Sequence, residues 1–254
     1  MVPAYILHLH HIKENKQDRK QNHNEDMKKS IFTVSFTAVA ISAMAAGFLA
    51  TNTTNGKETT EAPQTVATNV ANHKGKVLVA YFSVPETDGT DASSGASRLI
   101  VNGALQGNTQ YVASVISEAT GGDLFEIKTV HTYPGSHKAL IDAAKKEIDS
   151  NARPRLATHI KNLKDYDVVF IGFPNWWYDM PMPLYSFFEE YDFSGKTIIP
   201  FCTHGGSRFS DAIKTIREQE KKAKVLDGHA IARDRVADSR ESILKWLEKI
   251  GLKK

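Results

Sequence analysis

Three short apolar runs constrain this chain more than anything else in it: Lys76 to Phe82, Asp167 to Gly172 and Thr197 to Cys202. Each is shorter than a typical helix and too continuously apolar to leave one face in water. That is the pattern of a strand buried on both faces of a parallel sheet. Parallel neighbours need crossovers, and the intervening segments have helical period. Asn108 to Ala119 carries Val112, Val115, Ile116 and Ala119 on one face and stops at Gly121-Gly122. Ser136 to Ser150 aligns Leu140, Ile141, Ala144 and Ile148, while Pro183 to Tyr191, Ser210 to Glu220 and Asp238 to Lys249 read as three further helices. Asp123 to Lys128 alternates as an edge strand would, and the faintest strand lies around Ala230-Ile231. The expectation is an α/β fold, a doubly wound five-stranded parallel sheet with helices on both faces. Such sheets bind ligands outside the carboxyl ends of their strands, which points to the loops after Phe82, Gly172 and Cys202.

The first part of the chain has a different character. Residues 1–26 are polar, without a period that buries a face, and read as an unstructured upstream extension. Residues 27–50 open with Met27-Lys28-Lys29 and continue as an uncharged run from Ile31 to Ala50 that contains Ala43-Met44-Ala45-Ala46-Gly47. This is the layout of a signal peptide, and the same run read as uncleaved is an N-terminal membrane anchor through residues 31–50. On this reading Met27 is the biological start, residues 51–75 are a flexible linker, residues 76–254 are the folded domain, and the protein is exported to an extracytoplasmic location. The net charge of +3 shrinks once the leader is set aside, because residues 76–254 hold 24 Lys/Arg against 23 Asp/Glu. No basic face is visible, so nucleic acid is not an expected partner. The single Cys202 excludes an intrachain disulfide, a CxxC pair and a multi-cysteine zinc site, and no metal ligands are assigned. His137, His159 and His229 lack metal-ligand spacing, and Cys202 reads as a small buried hydrophobe.

The loops carry the chemistry. The first strand ends in Ser83, and after an interposed stretch from Val84 to Gln106 a helix opens with Gly107-Asn108-Thr109. Glycine admits close approach of a ligand, helix-terminal amides attract a phosphate, and the Ser, Asn and Thr side chains add hydrogen bonds; capping of the helix by Asn108 or Thr109 is the plainer alternative. Neither a Walker motif nor GxGxxG follows a strand, which lowers nucleotide-hydrolase and dinucleotide readings. The second loop begins Pro174-Asn175-Trp176-Trp177-Tyr178. Adjacent side chains diverge, so at least one indole is expected to be exposed at the ligand end of the sheet, where a flat ring can stack on it; anchoring the core is the alternative. The third loop, Thr203-His204-Gly205-Gly206-Ser207, offers backbone amides to a ligand edge. Its His204-Gly205-Gly206 is like a lipase oxyanion loop, but with no GxSxG elbow a serine hydrolase is rejected. His204 is either a catalytic candidate or a residue that fixes its own turn.

Taken in this order at these strand ends, Ser83, Gly107-Asn108-Thr109, Pro174-Asn175-Trp176-Trp177 and Thr203-His204-Gly205-Gly206-Ser207 resemble the three cofactor loops of the flavodoxin-like family, over roughly residues 76–252. The nearest branch is the bacterial flavodoxin-like FMN-binding oxidoreductases. The resemblance implies bound FMN, with the phosphate on Ser83, Gly107, Asn108 and Thr109 and the isoalloxazine between the 174–177 and 203–207 loops. Trp176 or Trp177 would stack on it, and the flavin rather than a side chain would carry the chemistry. It further implies electron or hydride transfer from an unknown donor to a small-molecule acceptor such as a quinone. A non-enzymatic electron carrier or a cofactor-free interaction scaffold is the alternative. The chain departs from flavodoxins in the interposed 84–106 stretch, read as a lid or part of a homodimer surface, and in its balanced charge.

Overall fold

Side-chain alternation along the first strand sorts the helices onto two sides. The computed structural model describes residues 75–88 and 98–253. In it β1 (Lys76–Tyr81) turns Leu78 and Ala80 to one face and Val77, Val79 and Tyr81 to the other. The order continues with β2 (Leu99–Val101), β3 (Ala104–Gln106), α1 (Asn108–Thr120), β4 (Asp123–Glu126), α2 (His137–Asp149) and β5 (Tyr166–Pro174). Then come α3 (Met182–Glu190), β6 (Thr197–His204), α4 (Ala212–Gln219), β7 (Lys224–Val225), β8 (His229–Ala232) and α5 (Arg240–Lys249). Leu140 of α2, Leu184 and Phe187 of α3 and Ile216 of α4 cover the Leu78 face; Val112 and Ile116 of α1 and Ile243 and Leu247 of α5 cover the Val79 face. Both faces are buried, which is why these strands read as unbroken apolar runs.

The sheet order is β4-β1-β5-β6-β7, with β8 also on β6 and every pairing parallel. The chain moves outward from β1 to β4 and then crosses to β5 on the other side, so the order reverses at β1/β5. That switch point opens the crevice in which doubly wound sheets hold ligands. The expected fold class is present, with its fifth strand in two pieces. Pro200 lies within the central strand β6 and lacks an amide donor. Its carbonyl faces Gly228, where a Cβ would stand 2.1 Å away. Because a residue's N–H and C=O point the same way across a ladder, the missing donor falls opposite residues 226–228, where β7 ends and β8 has not begun.

The interposed stretch is not wholly loop. Leu99–Val101 and Ala104–Gln106 form an antiparallel hairpin, closed by Asn102 (φ 51°) and Gly103 (φ 79°). An Asn-Gly pair with both residues at positive φ is the favoured two-residue hairpin turn, a signal the sequence carries at residues 102–103. Residues 89–97 of that stretch, and all but Gly75 of the extension, leader and linker expected over residues 1–75, lie outside the described residues. Among the described residues no helix is long and apolar enough to cross a membrane.

Candidate cofactor site

Three loops converge at the carboxyl ends of β1, β5 and β6, tied by specific bonds. Thr109 on α1 and Thr203 on β6 share a buried hydroxyl–hydroxyl hydrogen bond of 2.9 Å. Asn175 joins the second loop to the third: its amide N–H donates to the Thr203 carbonyl at 2.8 Å and its side-chain Nδ2 to the Arg208 carbonyl at 2.8 Å. Trp176 packs edge-on against Phe82 at 5.4 Å, joining the second loop to the end of β1. The residues singled out in sequence thus come together, although they span positions 83 to 207.

At the first loop, the Ser83 Oγ is buried and makes no hydrogen bond to a described residue. Such a group costs about 1–3 kcal/mol unless something else pairs it. The helix beyond begins at Gly107, which supplies no side chain to cap the first-turn amides, while Gln110 Oε1 accepts the Gly107 N–H at 3.3 Å. Asn108 and Thr109 lie inside the helix and are buried, so neither serves as its N-cap residue. A hydroxyl without a partner among the described residues and a helix start without a side-chain cap are features suited to an anion. The chain leaving Ser83 is pinned to the start of α2: Thr87 N–H donates to the Gly135 carbonyl at 2.8 Å, and the buried Glu86 carboxylate meets His137 Nδ1 at 2.6 Å. From beyond residues 89–97, Arg98 Nη1 donates to the Glu86 carbonyl at 3.0 Å.

The second loop separates its two tryptophans. Trp176 is 8% exposed and wedges edge-on against Phe82 and Tyr133; Trp177 is 47% exposed and Tyr178 66%. The cause is a two-residue turn: Trp176 and Asp179 exchange backbone hydrogen bonds of 3.0 and 3.2 Å, and Trp177 and Tyr178 take φ of 53° and 70°. That geometry favours Asn and Gly, and bulky residues held in it cost on the order of 1–3 kcal/mol. Of the two candidate stacking residues, Trp176 is a core anchor, and the exposed indole belongs to Trp177. Trp177 Nε1–H donates to the Ile141 carbonyl at 3.2 Å, and Lys145 Nζ lies 5.7 Å from its ring centre, so α2 steadies it.

In the third loop, His204 is buried and its Nδ1 accepts the Gly206 N–H at 3.0 Å. That bond places the neutral ring's proton on Nε2. It also closes the third loop on itself. Burial, with Arg208 second, lowers its pKa; Asp234 opposes the shift less strongly. His229, stacked on Trp246, is lowered by burial as well. A histidine held below the ordinary value of 6.5 binds fewer protons folded than unfolded, so its contribution favours folding above that pH and is lost as pH falls. Urea titrations are therefore expected to show stability dropping from about pH 6.5 downward, with a shallower slope in His229→Gln, each group contributing less than about 1.4 kcal/mol per pH unit. Equal slopes in the two proteins would contradict the assignment.

Two contacts beside the site carry no signal in the sequence. Arg233 Nη1 would stand 3.1 Å from a Cβ on Gly205, and Tyr133 donates to both oxygens of Glu147 at 2.9 and 2.7 Å. No local motif announces either, since each partner is distant in sequence. A cavity of about 450 Å³, within the range that holds small ligands, opens beside Ser83 between the end of β1 and residues 126–135. Cys202 is buried and burial pushes its thiol pKa up, which removes it from redox roles near neutral pH. Among the described residues no cluster of three His, Cys, Asp or Glu could hold a metal ion.

A family model described as flavodoxin matches residues 76–250. The chain belongs to the flavodoxin family. Among solved structures, this flavodoxin-family chain is similar to a candidate flavoprotein from Bacteroides uniformis ATCC 8492, at 31% identity over 68% of this chain and 98% of that one, with a TM-score of 0.54. A second candidate flavoprotein, from Bacteroides eggerthii DSM 20697, aligns at 27% identity over 70% and 99% of the two chains, TM-score 0.54. A more distant flavoprotein, from Lactobacillus acidophilus NCFM, was solved in complex with FMN and aligns at 20% identity over 66% and 99%, TM-score 0.47. No curated protein matches the chain in a sequence search. Within the flavodoxin family, this site has its first loop divided: Ser83 stands at the strand end, Gly107-Asn108-Thr109 at the helix start, and the excursion through the β2–β3 hairpin lies between them.

Proposed function

We propose that the chain binds FMN across the three loops and passes electrons through it to a small acceptor such as a quinone. The observation that carries this reading is the divided first loop: a buried Ser83 hydroxyl just past the end of β1 without a partner among the described residues, and a start of α1 whose first-turn amides have no side-chain cap. Ser83, Gly107, Asn108 and Thr109 would hold the phosphate. Pro174, Asn175 and Trp177 would border the ring on one side and Thr203, His204, Gly205 and Gly206 on the other. Bound FMN supplies the electron-accepting ring; the protein binds it, orients it and sets its surroundings. Trp177 provides the exposed aromatic surface, and the turn that strains it fixes its direction. The near balance of charge over residues 76–254 favours a small acceptor over the oppositely charged protein partner of an electron carrier. Export through residues 27–50 belongs to the same reading and calls for a donor other than a cytosolic nicotinamide.

Titration of the purified full-length chain with FMN, followed by flavin fluorescence, tests the binding step. Anaerobic reduction and mixing with a quinone tests the transfer. Ser83→Ala sharpens the test because its two effects have opposite signs. Loss of an unpaired buried hydroxyl is expected to leave the apo protein equally stable or about 1 kcal/mol more stable, whereas loss of a hydrogen bond to a charged phosphate weakens FMN binding roughly tenfold or more. Unaltered FMN affinity in Ser83→Ala would remove Ser83 from the phosphate site.

A further inference from the structure

The cavity of about 450 Å³ beside Ser83 opens on the side of β1 away from the switch point. The sheet order β4-β1-β5 puts the cofactor crevice at the β1/β5 ends and this cavity at the β1/β4 ends, so the end of β1 divides them. Of the residues assigned to FMN above only Ser83 borders it, and no residue of the second or third loop does. Its floor is apolar: Phe82, Ile127 and Tyr133 are buried, and Val84 and Pro85 close one side. The Phe82 and Tyr133 rings meet at 74° with centroids 5.6 Å apart, which gives the floor two aromatic surfaces at a steep angle.

The walls are tied from behind. Ile127 N–H donates to the Tyr81 carbonyl at 2.7 Å, while Ala157 N–H on the Lys128 carbonyl at 2.7 Å and Val130 N–H on the Arg155 carbonyl at 2.9 Å hold the segment that follows. On the other wall, Thr87 N–H donates to the Gly135 carbonyl at 2.8 Å. The charged and imidazole side chains that border the cavity already have partners. Lys128 Nζ lies 2.9 Å from Glu126 Oε2, and His131 Nε2 lies 3.2 Å from Glu147 Oε1. Lys128, exposed at the mouth, keeps N–H bonds to spare, because an ammonium group carries three donors and Glu126 takes one.

We propose that this cavity is a second small-molecule site, separate from the cofactor crevice, for a flat uncharged aromatic molecule that carries a carbonyl oxygen. Ligand sites typically have volumes of about 300–1,000 Å³, an apolar aromatic lining and a few placed polar groups, and this cavity has all three. The apolar floor takes the ring system, and Lys128 at the mouth donates to the carbonyl. A charged ligand gains a partner only by breaking the Lys128–Glu126 pair, which selects for a neutral one. Because the walls are tied in place, little ordering opposes binding. The site stands whether or not FMN occupies the crevice on the far side of β1.

The test is calorimetric titration of the full-length chain with 2-acetylnaphthalene, with and without saturating FMN. Saturable binding of one molecule per chain, unchanged by FMN, is the expected result. Val84→Trp fills the cavity from one wall and Thr132→Trp from the exposed rim. Each is expected to weaken the naphthalene compound by about tenfold or more, while FMN affinity stays within about twofold. Thr132 is exposed, so its substitution tests the site even where Val84→Trp fails to fold. Lys128→Met is expected to weaken binding roughly three- to tenfold, and Lys128→Arg to restore it. No saturable binding to the wild type, or undiminished binding in Thr132→Trp, overturns the proposal. Displacement of the compound by FMN overturns it as well, by making the cavity part of the cofactor site, and leaves the FMN reading standing.

Discussion

Trp176→Ala is expected to cost about 3–5 kcal/mol of stability, the range for truncating a fully packed aromatic, and to abolish tight FMN binding. The indole is the hub of an edge-to-face cluster, 5.4 Å from Phe82 and 5.5 Å from Tyr133, with Tyr133 in turn 5.6 Å from Phe82. Phe82 is the last residue before Ser83, and Tyr133 is tethered through its hydroxyl to Glu147 on α2. Removing the wedge therefore loosens the first and second loops together. Trp177→Gly is the contrast. It relieves a bulky residue held at φ 53°, so the apo protein is expected to keep or gain about 1 kcal/mol, while the loss of an aromatic stacking surface weakens FMN by about 1–3 kcal/mol, roughly 5- to 150-fold. Chemical denaturation of the apo protein and FMN titration of both variants separate the two roles. If Trp177→Gly bound FMN as well as the wild type, the stacking role would fall.

The paired tryptophans show where sequence reasoning stops. Their adjacency implies that one faces in and one faces out, but which is which depends on a turn whose residues give no turn signal. Trp177 and Tyr178 occupy positions where Asn and Gly would be expected, and two bonds hold them there: the Tyr178 N–H donates to Asn175 Oδ1 within the turn, and the Asp211 N–H donates to the Tyr178 carbonyl across it. The opposite case is Asn102-Gly103, a plain hairpin signal inside the interposed stretch that the structure folds as one. The three central strands were legible because burial on both faces leaves a continuous apolar run. The fifth was faint because the donor missing at Pro200 divides it into Lys224–Val225 and His229–Ala232, each too short for its own period. The candidate site residues could be named from the sequence because strand ends are where such sheets bind ligands. The surrounding charges were not: Arg233 reaches Gly205 only through the packing of β8 on β6.

Gly172→Ala is expected to destabilise the protein by about 3 kcal/mol, the upper end for overpacking a core, although the change adds a single carbon. Gly172 pairs with Phe201 across β5 and β6, and a Cβ at position 172 would stand 2.1 Å from Phe201 Cζ. Phe201 is fully buried, in the cluster with Phe170, Val79 and Ile116, so its ring has no free volume into which to swing. The consequence reaches the site, because Gly172 lies two residues before Pro174 and Phe201 two before Thr203, and a strand pair pushed apart there displaces both loops. Gly172→Ala is thus expected to lower the thermal midpoint and weaken FMN binding together, unlike Ser83→Ala, which weakens binding with no loss of stability. A partner substitution identifies the cause. Phe201→Leu on its own opens a cavity and destabilises, but in the Gly172→Ala background it frees the space the new methyl needs, so the pair is expected to cost at least 1 kcal/mol less than the sum of the singles. Strict additivity in urea denaturation would mean that Gly172 is required for its backbone and not for the ring that fills its place.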